Sequence, residues 1–333
     1  MKTPSFWYDI SLASRLKKGA LRPLSALYNI GRRARQLHVH APPDPFPVPS
    51  IVLGGVTMGG SGKTPAAISI AKFFQTQGIN VHFISRGYGR TSPYTRMTRV
   101  TAAHTVQEVG DEPLLLAEIA PTWVVANRHK AAQEAVHAGA HILILDDGFY
   151  NPRIKATLSV LVYDVHQGIG NGGIFPAGPL RAPVQEALAR ADLIVSLGGE
   201  FPFPADIPIL IADLKPDLLA FKVQKKRFIA FAGLGYPDKF FKTLSTYGAY
   251  LIQTYTFPDH HLYTETELKD LMHKAQAYKA SLITTRKDYV RLPNAVRSQV
   301  FFLDIQLVWR HAEADLCILK ELTKRNHDLA ASG

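Results

Sequence analysis

Ser50-Ile51-Val52-Leu53-Gly54-Gly55-Val56-Thr57-Met58-Gly59-Gly60-Ser61-Gly62-Lys63-Thr64 opens as an apolar, partly β-branched run and closes in glycines, a lysine and a threonine. The first part reads as a buried strand, Ser50–Val56. The residues after it, Thr64–Gln77, carry Ala67, Ile70, Ala71 and Phe74 at helical spacing. Strand, glycine-rich loop and helix in that order are the setting a phosphate-binding loop needs, because backbone N–H groups and the helix N-terminus converge on an anion. Thr57, Met58, Gly59, Gly60, Ser61, Gly62, Lys63 and Thr64 are therefore candidate ATP-binding residues. Lys63 would reach the β- and γ-phosphates, and the Thr64 hydroxyl would bind Mg²⁺. Thr57 stands where the usual pattern has glycine. A glycine-rich turn with no ligand is the competing reading, and Gly62-Lys63-Thr64 argues against it.

Outward from this loop, strands alternate with helices. Ile79–Ser85, Trp123–Ala126, His141–Leu145, Leu158–Val165 and Leu193–Leu197 read as strands. Between them, Glu112–Ala120, Arg128–Ala138 and Val184–Ala191 read as helices. That alternation predicts βαβ units and a mostly parallel sheet. His141–Leu145 ends in Asp146-Asp147 at the sheet edge where ligands bind, so one of these carboxylates should hold Mg²⁺, directly or through water. An aspartate capping the next turn is the alternative.

A second set follows Arg227: strands at Phe228–Ala232, Tyr250–Phe257, Leu282–Thr285 and Val300–Leu307, and helices at Lys239–Tyr247, Glu265–Tyr278 and Ala314–Thr323. Pro204–Pro216 reads as the link. The expected division is a basic segment at 1–40, a core at 41–220 and a smaller α/β domain at 221–333.

At 333 residues and 47% hydrophobic, the chain can bury a real core. The single cysteine, Cys317, rules out a disulfide framework. No apolar stretch is long enough for a membrane span. The net charge of +11 points to an anionic partner, and residues 1–40 hold +7 of it, with eight basic side chains against Asp9. Those basic residues mix with Trp7, Leu12, Leu16, Leu24, Leu27 and Ile30, a composition suited to a helix at a membrane interface. Pro23 predicts two short helices or one kinked helix. Plain packing on the protein's own core, or targeting, fits the composition as well. The prolines within His38–Ser50 read as a stiff spacer.

The loop alone serves ATPases, GTPases, kinases and switches. No Asn/Thr-Lys-x-Asp run supports guanine specificity, and Met58 occupies the place of the lysine that dimerising switch ATPases carry. Seven further motifs narrow the choice: Ser85-Arg86-Gly87-Tyr88-Gly89, Val109-Gly110-Asp111-Glu112-Pro113, Asp146-Asp147-Gly148-Phe149, Phe175-Pro176-Ala177-Gly178-Pro179-Leu180-Arg181, Phe231-Ala232-Gly233-Leu234-Gly235, Phe257-Pro258-Asp259-His260-His261 and Thr284-Thr285-Arg286-Lys287-Asp288. In this order, with the loop, they resemble the tetraacyldisaccharide 4′-kinase family of lipid A synthesis.

The resemblance implies transfer of the ATP γ-phosphoryl group to the 4′-hydroxyl of an acylated glucosamine disaccharide 1-phosphate. It also implies attachment to the cytoplasmic face of the bacterial inner membrane through the N-terminal segment. The implied fold is a P-loop NTPase core of the α/β class with a smaller C-terminal α/β domain closing over it. Asp111 is implied as the base, paired with His260 from the second domain, with Glu112 sharing metal or base duty. Arg86 and Arg181, at turns after predicted strands or in glycine-rich loops, are candidates to touch phosphate or substrate, and Arg128 is a weaker one. Tyr150 and Asn151 replace the family's Gln-His, Ala182 follows Arg181 where the family has an acid, and Arg286 replaces a glutamate. A nucleic-acid partner is not expected, since the basic surplus sits beside apolar residues at one end. A monomer is expected. The competing reading is a switch or chaperone-type NTPase acting on a protein.

Overall fold

A computed structural model describes residues 4–37, 44–217, 226–235 and 237–331. Its strands are β1 (Ser50–Gly55), β2 (Val81–Ser85), β3 (Thr98–Arg99), β4 (Thr122–Val124), β5 (Ile142–Asp146), β6 (Leu158–Asp164), β7 (Leu193–Leu197) and β8 (Ile209–Pro216), then β9 (Arg227–Ala232), β10 (Tyr250–Thr256), β11 (Ser281–Thr285), β12 (Val300–Leu303) and β13 (Ile305–Trp309). Nine form one sheet in the order β13-β8-β7-β6-β1-β5-β2-β4-β3, and four form a second in the order β10-β9-β11-β12. The second sheet is wholly parallel. The first is parallel except at its two edges, where β13 and β3 run antiparallel to their neighbours.

β1 and β5 are buried along their whole length, as strands covered on both faces must be. Side-chain alternation sends Ile51 and Leu53 into one core with the Lys63–Thr76 helix, and Val52 into another with the Arg128–His137 helix. The second sheet divides in the same way: Phe228 and Ala230 face one side, Ile229 and Phe231 the other.

Two expectations are corrected. Pro204–Pro216 is not a simple link, because Ile209–Pro216 is β8, parallel to β7. Val300–Leu307 is not one strand. It breaks at Asp304 into β12, which pairs with β11, and β13, which pairs with β8 of the first sheet. The final helix, Ala312–Ala331, buries Leu319 in the core of the first sheet. Residues from Ile305 onward thus belong with the larger sheet, not with 221–304. The chain crosses between sheets twice, and the crossings touch where the Asp217 N–H donates to the Asp304 carbonyl at 3.0 Å. The expected boundary near 220 lies outside the described residues, as do Pro42 and Pro43 of the spacer.

The N-terminal segment forms one helix, Leu12–Leu37, that continues through Pro23. Its polarity is inverted. The inward face buries Ser14 and Ser25, and Ser25 Oγ donates to the Ile174 carbonyl at 2.8 Å while accepting the Ala177 N–H at 3.0 Å. Leu12, Leu16, Leu24, Leu27, Ile30 and Leu37 share the opposite side and are exposed. Among the described residues, no helix is long and apolar enough to cross a membrane.

Candidate active site

The phosphate loop leaves β1 and enters the Lys63–Thr76 helix. Gly62 makes the entry in the left-handed region (φ 78°), and a Cβ there would meet the Leu197 side chain at 2.2 Å. Residues 179–181 brace the loop from behind. The Met58 N–H donates to the Pro179 carbonyl at 2.7 Å, and the Arg181 N–H to the Val56 carbonyl at 3.1 Å. Arg181 then reaches over the loop, with Nε to the Thr57 carbonyl at 3.3 Å and Nη1 to Asp147 Oδ1 at 3.1 Å.

Lys63 is buried, and its nearest hydrogen-bond partner is Ser61 Oγ at 3.4 Å. Burial, and then the charge of Arg181, push its pKa down, while Asp147, Glu112 and Asp146 pull the other way. The site thus holds a desolvated cation among carboxylates.

Asp146 ends β5 beside Leu53 of β1. It is 1% exposed, and among the described residues neither carboxylate oxygen has a hydrogen-bond partner. Burial, reinforced by Glu112, pushes its pKa up to about 8. An orphaned buried carboxylate near the Thr64 helix start suits a hard cation that draws its other oxygens from phosphates and water, as Mg²⁺ does. Among the described residues, no group of three His, Cys, Asp or Glu side chains could hold a metal by itself. Asp147 differs from its neighbour: it sits in the left-handed region (φ 57°), and burial is outweighed by Arg181, which keeps its pKa low. Glu112 is ion-paired with Lys287 at 3.0 Å, and Lys287 holds its pKa down against burial.

This asymmetry gives a prediction. The folded, metal-free chain holds the Asp146 proton more tightly than the unfolded chain does. The associated stability is therefore lost as pH rises from the ordinary carboxylate range through about 8. Asp146→Asn removes that slope, raises the thermal midpoint of the nucleotide-free protein at pH 8 by ~2–5 °C, and abolishes Mg²⁺-dependent turnover. Thermal melts across pH check it, and an unchanged slope counts against it.

Asp111 opens the Asp111–Ala117 helix just after Gly110, whose φ of 91° and close approach to the Tyr88 carbonyl exclude a side chain. The carboxylate is 3% exposed. Its Oδ1 accepts the Glu112 N–H at 3.0 Å, and its Oδ2 accepts His260 Nδ1–H at 2.9 Å across 149 residues of sequence. Burial would raise its pKa, but the His260 hydrogen bond and the charge of Arg291 prevail and hold it far below the carboxylate range. His260 takes a left-handed backbone (φ 58°), strained for a non-glycine residue, and its N–H donates to the Gly233 carbonyl at 3.3 Å. The imidazole is partly exposed and meets the Tyr88 ring edge-on at 5.9 Å.

The structure thus brings Lys63, Asp146, Asp147, Glu112 and Arg181 within electrostatic reach of one another, and joins Asp111 to His260. Arg86 is apart from these pairs. It is exposed, with its guanidinium 5.3 Å from the centre of the Tyr94 ring. Two participants escaped the reading of the sequence. Arg291 binds Asp111 and Asp288 from the second domain, and Lys287 binds Glu112. Arg90, 5% exposed, stacks on the same Tyr94 ring as Arg86 at 4.8 Å, and its guanidinium nitrogens have no hydrogen-bond partner among the described residues. The only sequence signal for Lys287 was the Thr284–Asp288 motif, which marks a functional stretch without saying what it grips, and Arg291 lies outside it.

Residues 18–323 match the family Tetraacyldisaccharide-1-P 4′-kinase. A tetraacyldisaccharide 4′-kinase of Rhodospirillum centenum is 42% identical over 94% of this chain and 94% of its own. Another, of Parvibaculum lavamentivorans, is 41% identical over 89% of this chain and 88% of its own. The chain belongs to that family. The crystal structure of LpxK from Aquifex aeolicus in complex with ATP superposes with a TM-score of 0.73 at 26% identity, covering 93% of this chain and 99% of that one. Membership of a family of lipid A kinases makes the chain an enzyme, and a protein-directed switch NTPase is not favoured.

The positions that depart from this family's pattern have their own partners. The Tyr150 hydroxyl donates to the Gly55 carbonyl at 3.2 Å, and burial raises its pKa. Asn151 Oδ1 accepts the Arg153 N–H at 3.0 Å. Ala182 is fully buried. Arg286 pairs with Glu118 across the two domains and stacks on Phe302 at 4.3 Å.

Proposed function

We propose that the chain carries the ATP γ-phosphoryl group to the 4′-hydroxyl of a tetraacylated glucosamine disaccharide 1-phosphate at a membrane surface. The observation that carries this reading is the 2.9 Å contact between Asp111 of the larger domain and His260 of the smaller one, beside the phosphate loop. A sugar hydroxyl is a poor nucleophile and gains from a positioned base. With Nδ1–H donated to Asp111, His260 keeps the lone pair of Nε2 for the hydroxyl proton. Lys63 and Arg181 answer the charge that builds on the transferred group. Asp146, with Thr64, would hold Mg²⁺, whose contribution is to neutralise phosphate charge. Arg128, whose Nη2 donates to the Asp147 carbonyl at 2.9 Å and whose Nε has no hydrogen-bond partner among the described residues, suits a substrate that carries phosphate.

The exposed apolar side of the Leu12–Leu37 helix supports the membrane part of the reading, with the helix lying in the interface and Lys17, Arg33 and Arg35 near anionic headgroups. The cytoplasmic face of the inner membrane is the side where ATP is available. Replacing Leu16, Leu27 and Ile30 together by serine is expected to weaken co-sedimentation with anionic vesicles at least about tenfold, since each buried aliphatic side chain is worth about 1.5–3 kcal/mol. Unchanged co-sedimentation would count against this orientation. The direct test of the reaction uses γ-labelled ATP, Mg²⁺ and the monophosphorylated acylated disaccharide in mixed micelles. Label should move to the lipid, and label found only in free phosphate would refute the assignment.

A further inference from the structure

We propose that Arg291 is the positioning residue of the cross-domain pair: one buried guanidinium fixes both the Asp111 carboxylate and the two loops that present His260. The proposal rests on the reading of Asp111 and His260 as the acid–base pair. The Arg291 side chain is 1% exposed. Nε donates to Asp111 Oδ2 at 3.1 Å, and Nη2 approaches the same oxygen. Nη1 donates to Asp288 Oδ1 at 2.9 Å and to the Gly233 carbonyl at 3.0 Å. That same carbonyl accepts the His260 N–H. Nη2 also lies 3.2 Å from His260 Nδ1. Asp288 in turn accepts the Gly233 N–H at 3.1 Å, the Tyr263 hydroxyl at 2.9 Å and the Thr285 hydroxyl at 2.7 Å. Every contact of the guanidinium therefore bears on one thing, the seat of His260 against Asp111.

The geometry explains why a side chain of this kind is needed. A carboxylate rotates easily about its last torsion, and one contact on each oxygen, from the Glu112 N–H and the imidazole, leaves the plane of the group loosely set. A planar fork pinned on its far side by Asp288 does fix it. The strained His260 backbone needs an anchor as well, and the doubly used Gly233 carbonyl supplies one. Arg291 touches neither phosphate loop nor metal candidate, so its influence on turnover passes through the pair.

A double-mutant cycle tests this with the full-length enzyme, reading kcat at saturating Mg-ATP and acceptor alongside Mg-ATP affinity by calorimetry. Arg291→Ala is expected to lower kcat ~10²-fold or more, while Mg-ATP affinity changes less than about threefold. Arg291→Lys keeps a buried cation but not the fork, and is expected to lose at least ~10-fold in kcat with its fold intact. In a His260→Ala background, the same Arg291 changes should cost less than about threefold, because the pair they position is already gone. Full, independent losses in that background, or wild-type kcat in Arg291→Lys, would overturn the proposal. If Arg291→Ala does not fold, Arg291→Lys alone completes the cycle. His260→Ala with wild-type turnover would instead sink the acid–base reading, a result separable from failure of the Arg291 coupling.

Discussion

Lys63→Ala should lower phosphoryl transfer ~10²–10³-fold or more, the scale on which one preorganised electrostatic group contributes to a transition state. The side chain is buried at the helix entry, and its only hydrogen-bond partner among the described residues is Ser61 Oγ, at 3.4 Å. Burial and the nearby Arg181 both oppose its charge, so the folded protein bears a cost for holding an ammonium there. A cost of this kind is expected where a missing anion is the intended partner. It follows that Lys63→Ala keeps or raises the thermal midpoint of the nucleotide-free protein while Mg-ATP affinity falls. Steady-state transfer, calorimetry and a thermal melt on the same sample check the three parts. A variant that keeps wild-type transfer would remove Lys63 from the site.

His260→Ala and Asp111→Ala should each lose ~10²–10⁴ in kcat, with the double variant little worse than the poorer single one. Their stabilities should differ. His260 is partly exposed, so its removal leaves no buried charge stranded. Removal of the Asp111 carboxylate leaves the buried Arg291 with Asp288 as its one remaining ionic partner among the described residues, and the thermal midpoint should drop. His260→Ala is accordingly the cleaner probe of chemistry. Near-wild-type kcat in either variant, measured on folded protein at saturating substrates, would take that residue out of the acid–base role.

Much of this site could be read from the sequence, for a local reason. A strand, a glycine-rich turn and a helix specify the phosphate cradle within fifteen residues, and Asp146-Asp147 announces itself by following an apolar run. Arg291 announces nothing. It lies three residues beyond Asp288 in a stretch with no periodic signal, and its importance comes from a contact with Asp111 that spans 180 positions. The same limit applied to the fold. Val300–Leu307 has no glycine or proline, and Asp304 and Gln306 both interrupt its apolar run, so nothing local singles out Asp304 as the point where the chain leaves one sheet for the other. The pairing partner β8 sits between prolines at 204 and 216, whose turn-like appearance hid it. The N-terminal helix was legible in composition but not in orientation, because only the docked Ser14 and Ser25 reveal which side faces inward.

Ion pairs cross between the two domains, Asp111 with His260 and Arg291, Glu112 with Lys287 and Glu118 with Arg286, beside the apolar packing of Val290 with Val109, Leu114 and Leu115. On the proposed reading, the Asp111–His260 pair exists only with the smaller domain seated, so proton transfer is tied to the exclusion of water. ATP consumption with and without the lipid acceptor measures that coupling most directly. The account predicts that the acylated disaccharide accelerates ATP turnover by at least ~10²-fold, with one lipid phosphorylated per ATP consumed. An equal rate of ATP hydrolysis in its absence, or phosphate release uncoupled from lipid product, would contradict it.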